Sequence, residues 1–516
     1  ISEKTLKLQK RWKPTLGNFL PQLWVGNDEI GLSYMADNDR GWIPVDEEAA
    51  ITLERKGQVV EWRFNFISLP YLLKEAREIV LSFQATPEKP LPQNWRKHFW
   101  RGPKRNDGGI SCVWLSDSAG WDEEGVSGHA YQPEKAREAT EKFHAMGLKV
   151  TPHLDTSSLN WGASTAREFA AEWSSGGIQY NMIFTRSKID FMVWSHQKWK
   201  QQYGIDGVYF DTGTPRPNYN TISGTAYFLP DGRLQPGWTM FGQREVYKRS
   251  AHVFGDVGTE GFNWSCGYTG SQIAGWQWAA VPGGEYRIDY ATDSYPGPFD
   301  LMRIYSNSGK FGTMMMWMGL SEYVKLREAP ASYEKFFRHM YAMMLPLDAK
   351  WPFGSFTYPD AFSDFCIADP DVKFVGFWKN PLVNIQPATE SVKVSAYVKP
   401  HRSLWIVSNL APQDARLQLK IDLSSLGWKP ENVQVVDAEE KESKRPERLT
   451  IPWYYWINRG GCALIPEEKE ELRQVKVSSE KNSLLVNLFV PGHDYRLLSI
   501  SERQTTGQVA AEKFDR

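Results

Sequence analysis

The order of apolar and polar residues changes character twice along the chain. In residues 1–94 the two kinds alternate, most regularly over 58–66, and turn-forming residues separate the runs. A period of two is typical of strands that bury one face. We predict antiparallel strands over 49–54, 58–66 and 78–85, and with them an N-terminal β-sandwich. The proline-rich stretch 87–92 predicts a stiff linker after it.

Residues 95–353 instead repeat a short apolar run, a loop and a helical pattern. Pro133 opens the first predicted helix, and Gly147 and Gly204 follow two helix ends, where glycine is favoured. The predicted strands are 109–115, 148–154, 207–210, 251–257, 285–290 and 310–317. The predicted helices are 133–146, 164–173, 187–203, 241–250 and 333–344.

Repeated strand–helix units of this length imply a parallel sheet. A closed (β/α)8 barrel and an open doubly wound sheet both satisfy the pattern. No GxGxxG turn follows the first strand, which removes the usual sign of a nucleotide site in a doubly wound sheet. We therefore predict an α/β fold with a TIM-type barrel over 95–353.

Beyond residue 353 we expect no further helices. Short runs separated by Pro, Gly, Asn and Asp predict a C-terminal antiparallel β-sandwich over 354–503. Its predicted strands are 390–398, 403–409, 415–421, 434–436, 448–451, 460–466 and 483–490. Residues 504–516 form a polar tail.

The aromatic content and the net charge indicate which class of binding partner to expect. The 516 residues include 23 Trp, 22 Tyr and 26 Phe, and the formal net charge is −1. Flat aromatic faces stack on sugar rings, although tryptophan in large cores explains the same counts. Balanced charge argues against nucleic acid, and no apolar run is long enough to span a membrane. We expect an oligosaccharide or polysaccharide partner.

The cysteines and metal-binding residue types predict neither a cofactor nor a metal. Cys112, Cys266, Cys366 and Cys462 form no CxxC pair, so neither a zinc ribbon nor a disulfide framework is indicated. Cys112 lies in an apolar run and is predicted to be a buried thiol. No loop has the ligand pattern of an EF-hand.

Asp211 is the sharpest candidate for catalysis. It ends the run GVYFD at 207–211, where a buried barrel strand would deliver a carboxylate to the catalytic rim. There its charge could stabilise an oxocarbenium-like transition state. The structural alternative is an aspartate that caps the following loop.

Glycoside hydrolysis needs a second carboxyl group. We choose Glu260, because it follows the predicted strand 251–257 and glycines flank it. Asp256 and Asp293 are the competing candidates, and Asp293 is also a candidate for substrate binding.

Further polar and aromatic residues lie at predicted strand ends or in loops. His153 and Asp155 share one face of a strand and could bind sugar hydroxyls, or could simply hydrogen-bond each other. Trp161, Trp264 and Trp317 are candidate sugar platforms, with core packing as the alternative.

The domain order, together with GVYFD ending a mid-barrel strand, resembles bacterial glycoside hydrolases of the family 123 type. The segments 81–92 and 403–426 are similar to that group. The family's N-acetylhexosaminidase activity relies on substrate assistance from an adjacent Asp–Glu pair. Here Asp122–Glu123 lies in the first predicted loop and not at a strand end, which puts that activity in doubt.

A second resemblance concerns mechanism. Glycoside hydrolase families 101 and 129 use an aspartate nucleophile after the fourth barrel strand and a glutamate acid/base after the fifth. Asp211 and Glu260 fit that order, which implies a retaining mechanism.

Three hypotheses follow. The first is a retaining glycoside hydrolase, for which polysaccharide degradation implies a secreted or periplasmic location; a start at Ile1 without Met is compatible with signal-peptide removal. The second is a non-catalytic carbohydrate-binding protein with a degenerate barrel. The third is a polysaccharide lyase, which would need a Tyr/His or Lys/Arg constellation more than two carboxylates.

Overall fold

The computed structural model describes residues 6–7, 20–43, 50–92, 94–100, 110–115, 119–122, 129–155, 168–175, 183–211, 217–255, 264–266, 281–286, 299–306, 309, 312, 314, 316–319, 332–350, 359–439 and 474–503. The chain forms two compact units. The first comprises Ile1–Gln93, Ile110–Gly284 and Ser308–Met315, and the second comprises Asn94–Gly109, Glu285–Asn307 and Met316–Arg516.

The described helices are α1 Pro133–Ala145, α2 Ala170–Trp173, α3 Arg186–Tyr203, α4 Met240–Phe254, α5 Phe299–Ser306, α6 Ser332–Met344 and α7 Asp360–Phe365. The first strands are β1 Leu6–Lys7, β2 Gln22–Gly26, β3 Gly31–Met35, β4 Ile51–Lys56, β5 Val59–Phe64 and β6 Ser82–Thr86. The middle strands are β7 Phe99–Trp100, β8 Ser111–Leu115, β9 Trp121–Asp122, β10 His129–Ala130, β11 Lys149–Asp155, β12 Tyr209–Asp211, β13 Tyr227–Phe228, β14 Leu234–Gln235, β15 Trp264–Cys266, β16 Val281–Tyr286 and β17 Met316–Gly319. The last are β18 Lys373–Val375, β19 Val383–Gln386, β20 Val392–Lys399, β21 Arg402–Asn409, β22 Ala415–Asp422, β23 Val433–Asp437, β24 Lys476–Glu480, β25 Ser483–Val490 and β26 Asp494–Glu502.

The N-terminal strands form two three-stranded antiparallel sheets, in the orders β1-β4-β5 and β2-β3-β6. Buried Tyr34 and Ile51 form a cluster against which Trp62 and Trp238 pack. The three strands predicted here exist with shifted bounds, and β1 to β3 are additional. That these sheets constitute a β-sandwich stays a prediction.

A half-buried aspartate, Asp37, joins these N-terminal sheets to α4 within the first unit. Phe241 N donates to Asp37 Oδ1 at 3.2 Å, and Trp238 N donates to the Asp37 carbonyl oxygen at 2.6 Å. Burial raises the pKa of Asp37 to about 7, against the lowering effect of the helix amides. Asp37 therefore satisfies donors that the first turn of α4 would otherwise leave open.

Five parallel strands of the first unit run side by side in the order β8-β11-β12-β15-β16. Their spatial order is their order in the chain, with α1, α3 and α4 between successive strands. A doubly wound sheet reverses its order at a switch point, whereas barrel strands follow one another. The predicted parallel β/α sheet is confirmed, and its closure into eight strands stays a prediction.

Helix α3 shows how local sequence sets an element's ends. The Thr185 side chain accepts a hydrogen bond from Lys188 N at the start of the helix. Gly204 follows the last turn with φ 71°, a left-handed conformation that glycine adopts without strain. Gly147 has φ 72° after α1, so both predicted glycine stops are confirmed.

The strand predicted over 251–257 is wrong where the structure describes it. Residues 251–254 are the last turn of α4, and Ala251 and Phe254 extend the buried face that includes Tyr247 and Ser250. A short apolar run fits a strand and a helix equally well when only its composition is considered. The next strand that the structure describes is β15.

Helices α3 and α4 meet over β12 around His196. The imidazole Nδ1 lies 2.8 Å from Ser250 Oγ, and its ring contacts Trp199 and Phe254 at centroid distances of 4.7 and 5.9 Å. Complete burial lowers the pKa of His196 to about 3. The side chain is therefore neutral in the folded protein at neutral pH.

We expect His196→Gln to flatten the acid dependence of stability. The unfolded imidazole has a pKa of about 6.5, so between pH 6.5 and 3 the unfolded chain binds the extra proton. Stability from this group is complete above pH 6.5 and is lost as pH falls. The wild type should lose ~2 kcal/mol more unfolding free energy than the variant between pH 7 and pH 5, measured by urea denaturation.

The difference between variant and wild type reports the effect of the imidazole alone. The raised pKa of Asp37 makes stability change with pH in the opposite direction, but it does so equally in both proteins. His252→Gln, at an exposed position on α4, is the matched control and should leave the wild-type slope unchanged. Parallel pH profiles for His196→Gln and wild type would contradict the assignment.

The second unit contains two antiparallel sheets, in the orders β18-β20-β21-β26-β23 and β19-β22-β25-β24. One hydrophobic cluster takes buried residues from both, including Trp405 and Ile500 of the first sheet and Leu419 and Val486 of the second. Every predicted strand within the described part of this unit's C-terminal region is found. The predicted strands 448–451 and 460–466 lie outside the described residues.

Two features of the second unit differ from the predictions. Helix α7 begins after Pro359, where no helix was expected, because six residues are too few to show a helical period. Strand β26 was missed because Asp494 and Arg496 break the apolar pattern at its start. Both side chains are buried.

Across the described residues, no helix combines the length and apolar character needed to cross a bilayer.

Candidate active site

Two of the predicted site residues end neighbouring strands. Asp155 is the last residue of β11 and Asp211 the last of β12, and the two are register partners in a parallel pair. Adjacent strands lie about 4.8 Å apart, so the two backbone positions are immediate neighbours. The carboxyl ends of parallel strands are where β/α enzymes place their catalytic groups.

A second row of residues lies two positions earlier on the same strands. His153 pairs in register with Tyr209, Tyr209 with Trp264, and Trp264 with Val281. The His153 and Tyr209 rings are in contact, with centroids 5.2 Å apart. Because strand positions share a face at a period of two, this row lies directly beneath Asp155 and Asp211. The structure thus brings His153, Asp155, Asp211 and Trp264 to one region of the sheet.

Asp206 is a structural residue that the sequence analysis did not identify. Its carboxylate accepts hydrogen bonds from Val150 N and Lys149 Nζ, both at 2.9 Å, and lies 2.8 Å from His144 Nε2. Asp206 N in turn donates to the Val150 carbonyl at 3.0 Å. These bonds hold the chain entering β12 against the start of β11. A carboxylate two residues after the helix-ending Gly204 is the signal that could have identified it.

The strand predicted before Glu260 is not found in the residues that the structure describes there. Helix α4 ends at Phe254, and β15 begins at Trp264. The reason for choosing Glu260 is therefore removed. The residue lies outside the described part of the chain, as does its competitor Asp256, and its role stays a prediction.

The remaining predicted site residues are less informative. Asp293 and Trp161 lie outside the described residues. Trp317 is the second residue of β17, and Trp264 is the first residue of β15, so neither occupies a loop. Their roles as sugar platforms stay predictions.

The described residues contain no group of three or more His, Cys, Asp or Glu side chains that could hold a metal ion. Cys112 is a free, fully buried thiol, as predicted, and burial raises the pKa of that thiol. Burial of this kind makes a cysteine inert as a nucleophile.

Comparison with known proteins identifies the C-terminal region. Residues 360–448 match the model of the glycoside hydrolase 123 C-terminal domain. No curated protein matches the chain significantly.

Several solved structures are similar in their overall trace. The noncanonic maltogenic α-amylase AmyB from Thermotoga neapolitana is 9% identical, with 79% of this chain and 91% of that chain covered and a TM-score of 0.43. The α-amylase from Geobacillus thermoleovorans is 10% identical, with 80% and 90% covered and a TM-score of 0.41. The family 30 xylanase Xyn30A from Clostridium acetobutylicum is 11% identical, with 76% and 89% covered and a TM-score of 0.35. These similarities are too remote to support a conclusion about activity.

The family assignment rests on the C-terminal match and agrees with the resemblance of the sequence. Residues 360–448 are thus similar to the C-terminal domain of glycoside hydrolase family 123, which supports a family 123-like glycoside hydrolase.

Proposed function

We propose that this enzyme cleaves a glycosidic bond in an oligosaccharide or polysaccharide by a retaining, two-carboxylate mechanism with Asp211 as the nucleophile. The observation that carries the proposal is the in-register placement of Asp155 and Asp211 at the carboxyl ends of adjacent parallel strands. This is the part of a β/α sheet where catalytic groups are expected.

The chemistry requires two carboxyl groups at a defined separation. Retaining enzymes hold them about 5–5.5 Å apart, and residues paired on neighbouring strands, which lie about 4.8 Å apart, can place two carboxyl groups at that separation. Asp211 would attack the anomeric carbon while the second group protonates the departing oxygen. The second group would then deprotonate the water that releases the sugar from Asp211.

Asp155 is the proposed second carboxyl group, and Glu260 is the alternative. Asp155 ends a strand beside Asp211, whereas Glu260 comes before β15 in the sequence. In β/α barrels the catalytic groups are found after the carboxyl ends of strands. The row containing His153, Tyr209 and Trp264 would then bind the sugar that enters the site.

The wider architecture belongs to the same proposal. We propose that the parallel strands close into a (β/α)8 barrel, which the unreversed order of five of them supports. The shared core of the two C-terminal sheets supports a β-sandwich after it. A polysaccharide substrate supports a secreted or periplasmic location.

Two variants distinguish the candidates for the second carboxyl group. We expect Asp155→Asn to lower kcat/KM on a natural oligosaccharide by about 10²–10⁴-fold, and Glu260→Gln to change it by less than about threefold. The loss of kcat/KM caused by Asp155→Asn should be smaller on 4-nitrophenyl glycosides, because nitrophenolate is a good leaving group that needs no protonation. A large loss of kcat/KM in Glu260→Gln, with little change in Asp155→Asn, would assign the acid/base role to Glu260.

The stereochemistry of the first product tests the retaining mechanism separately. ¹H NMR of the anomeric proton within the first minutes of reaction should show the configuration of the substrate. Initial formation of the opposite anomer would refute the retaining mechanism while leaving the glycoside hydrolase assignment intact.

A further inference from the structure

The outward face of the sheet β19-β22-β25-β24 carries a row of polar side chains across all four strands. Gln386 pairs in register with Gln418, Gln418 with Asn487, and Asn487 with Lys476. Gln418 Nε2 donates to Asn487 Oδ1 at 3.1 Å, which orients both amides. The row therefore offers several amide donors and acceptors in a line.

A second row beside it adds a cation and an aromatic ring. Arg416 pairs in register with Phe489, and its guanidinium carbon lies 5.1 Å from the centre of that ring. A cleft of about 640 Å³ opens over the two rows, and Gln474 extends its wall. Its volume falls within the range of small-ligand sites.

The packing of this sheet depends on the opposite, inward face of the same strands and not on the residues of the cleft. Leu417 and Leu419 of β22 and Leu488 of β25 alternate with the cleft residues and enter the hydrophobic cluster. The inward face thus supplies the packing that stabilises the sheet. The polar set on the outward face is unnecessary for that packing.

The charged side chains that line the cleft, among the residues described, are all positive. Arg416 and Lys476 line it, and no described aspartate or glutamate does. On the same face, the nearby Lys420 is paired with Glu480 at 2.8 Å, so it is compensated outside the cleft. Two cations without a lining carboxylate favour an anionic ligand.

We infer that this cleft binds an anionic glycan, a sugar chain carrying carboxylate or sulfate groups. Arg416 would hold the anionic group through its planar fork, with Lys476 as a second cation. The amides of Gln418 and Asn487 suit sugar hydroxyls, because each amide both donates and accepts. The Phe489 ring supplies an apolar surface for the C–H face of a sugar.

A glycan fits the cleft better than a nucleic acid does. Binding to a phosphate backbone depends on several cations that neutralise successive charges, whereas this cleft has two cations among amides. The site lies on a different sheet from Asp155 and Asp211, and binding there requires no catalytic step. Failure of the catalytic proposal would leave it unaffected.

Affinity electrophoresis of the full-length enzyme tests the inference. Gels contain polygalacturonate, which carries only carboxylates, or dextran sulfate, which carries only sulfates, or neutral dextran. An Asp211→Asn background prevents digestion of the probe. We expect retardation by at least one polyanion and none by dextran.

The variants identify the cleft as the site. Arg416→Gln combined with Lys476→Gln should weaken the apparent affinity about tenfold or more, because charge-assisted hydrogen bonds are lost. Gln418→Ala should weaken it about threefold or more through loss of a neutral hydrogen bond. Lys420→Gln removes a cation from the same face outside the cleft and should stay within about twofold of the parent.

Three results would overturn the inference. The first is no retardation by either polyanion. The second is an equal loss in Lys420→Gln and the double variant, which indicates diffuse charge attraction. The third is retention of single-stranded DNA as strong as that of the polyanionic glycan.

Discussion

Asp211→Asn should lower kcat/KM for glycoside hydrolysis by about 10³-fold or more, since the amide cannot act as the nucleophile. Asparagine preserves the size of the side chain at the end of β12, so the melting temperature should stay within about 2 °C of the wild type. The measurement is reducing-sugar release from an oligosaccharide panel, combined with a thermal melt of the same preparation.

Asp206→Asn is the matched control for this experiment. It makes the same chemical change five residues earlier in the chain, where the carboxylate accepts from Val150 N and Lys149 Nζ. We expect it to reduce the unfolding free energy by about 1 kcal/mol and to leave kcat/KM within about threefold. Substantial turnover by Asp211→Asn, or equal losses of activity in both variants, would remove Asp211 from the catalytic role.

Arg338→Leu should reduce the unfolding free energy by about 3–5 kcal/mol. Buried Arg338, on α6, donates from Nε to Asp494 Oδ1 and from Nη1 to Glu439 Oε1, both at 2.6 Å. Burial alone would lower the pKa of Arg338, but the two carboxylates hold it well above its usual value. Leucine would leave both carboxylates buried without their cation. Urea denaturation of variant and wild type measures the difference.

Two further variants test whether unpaired buried charge causes this loss of stability. Arg402→Leu removes a half-buried arginine that donates to the Asp364 carbonyl, and it should cost less than about 1 kcal/mol. A triple replacement of Arg338, Glu439 and Asp494 by Met and Leu should recover most of the loss, because no buried charge is then unpaired. A triple variant no more stable than Arg338→Leu would show that packing, and not charge, explains the effect.

The ion network also shows contacts of helix α6 that its pattern did not predict. The helical period over 333–344 was predicted correctly, and the helix was placed at the end of the barrel. Within the second unit, Arg338 of that helix bonds to Asp494 of β26 and to Glu439 in the turn after β23. A helical period reports that one face is buried, and it carries no information about which sheet covers that face.

The sequence by itself determined the features that depend on neighbouring residues. The end of α3 at Gly204, the strand that delivers Asp211, and the alternation of β22 and β25 follow from local conformational preference and from the period of apolar side chains. The family resemblance likewise rested on local segments, and the C-terminal match confirms it.

Only the tertiary structure decided which distant residues meet. The pairing of Asp155 with Asp211 depends on the register of two parallel strands separated by a helix, and no local pattern encodes that register. Residues 251–254 joined a helix because α4 packs its Ala251 face inward, although their composition suits a strand equally well. Asp494 and Arg496 could enter a core strand because partners elsewhere in the chain bond to them: Asp494 accepts from Arg338, and Arg496 Nε donates to the Phe489 carbonyl.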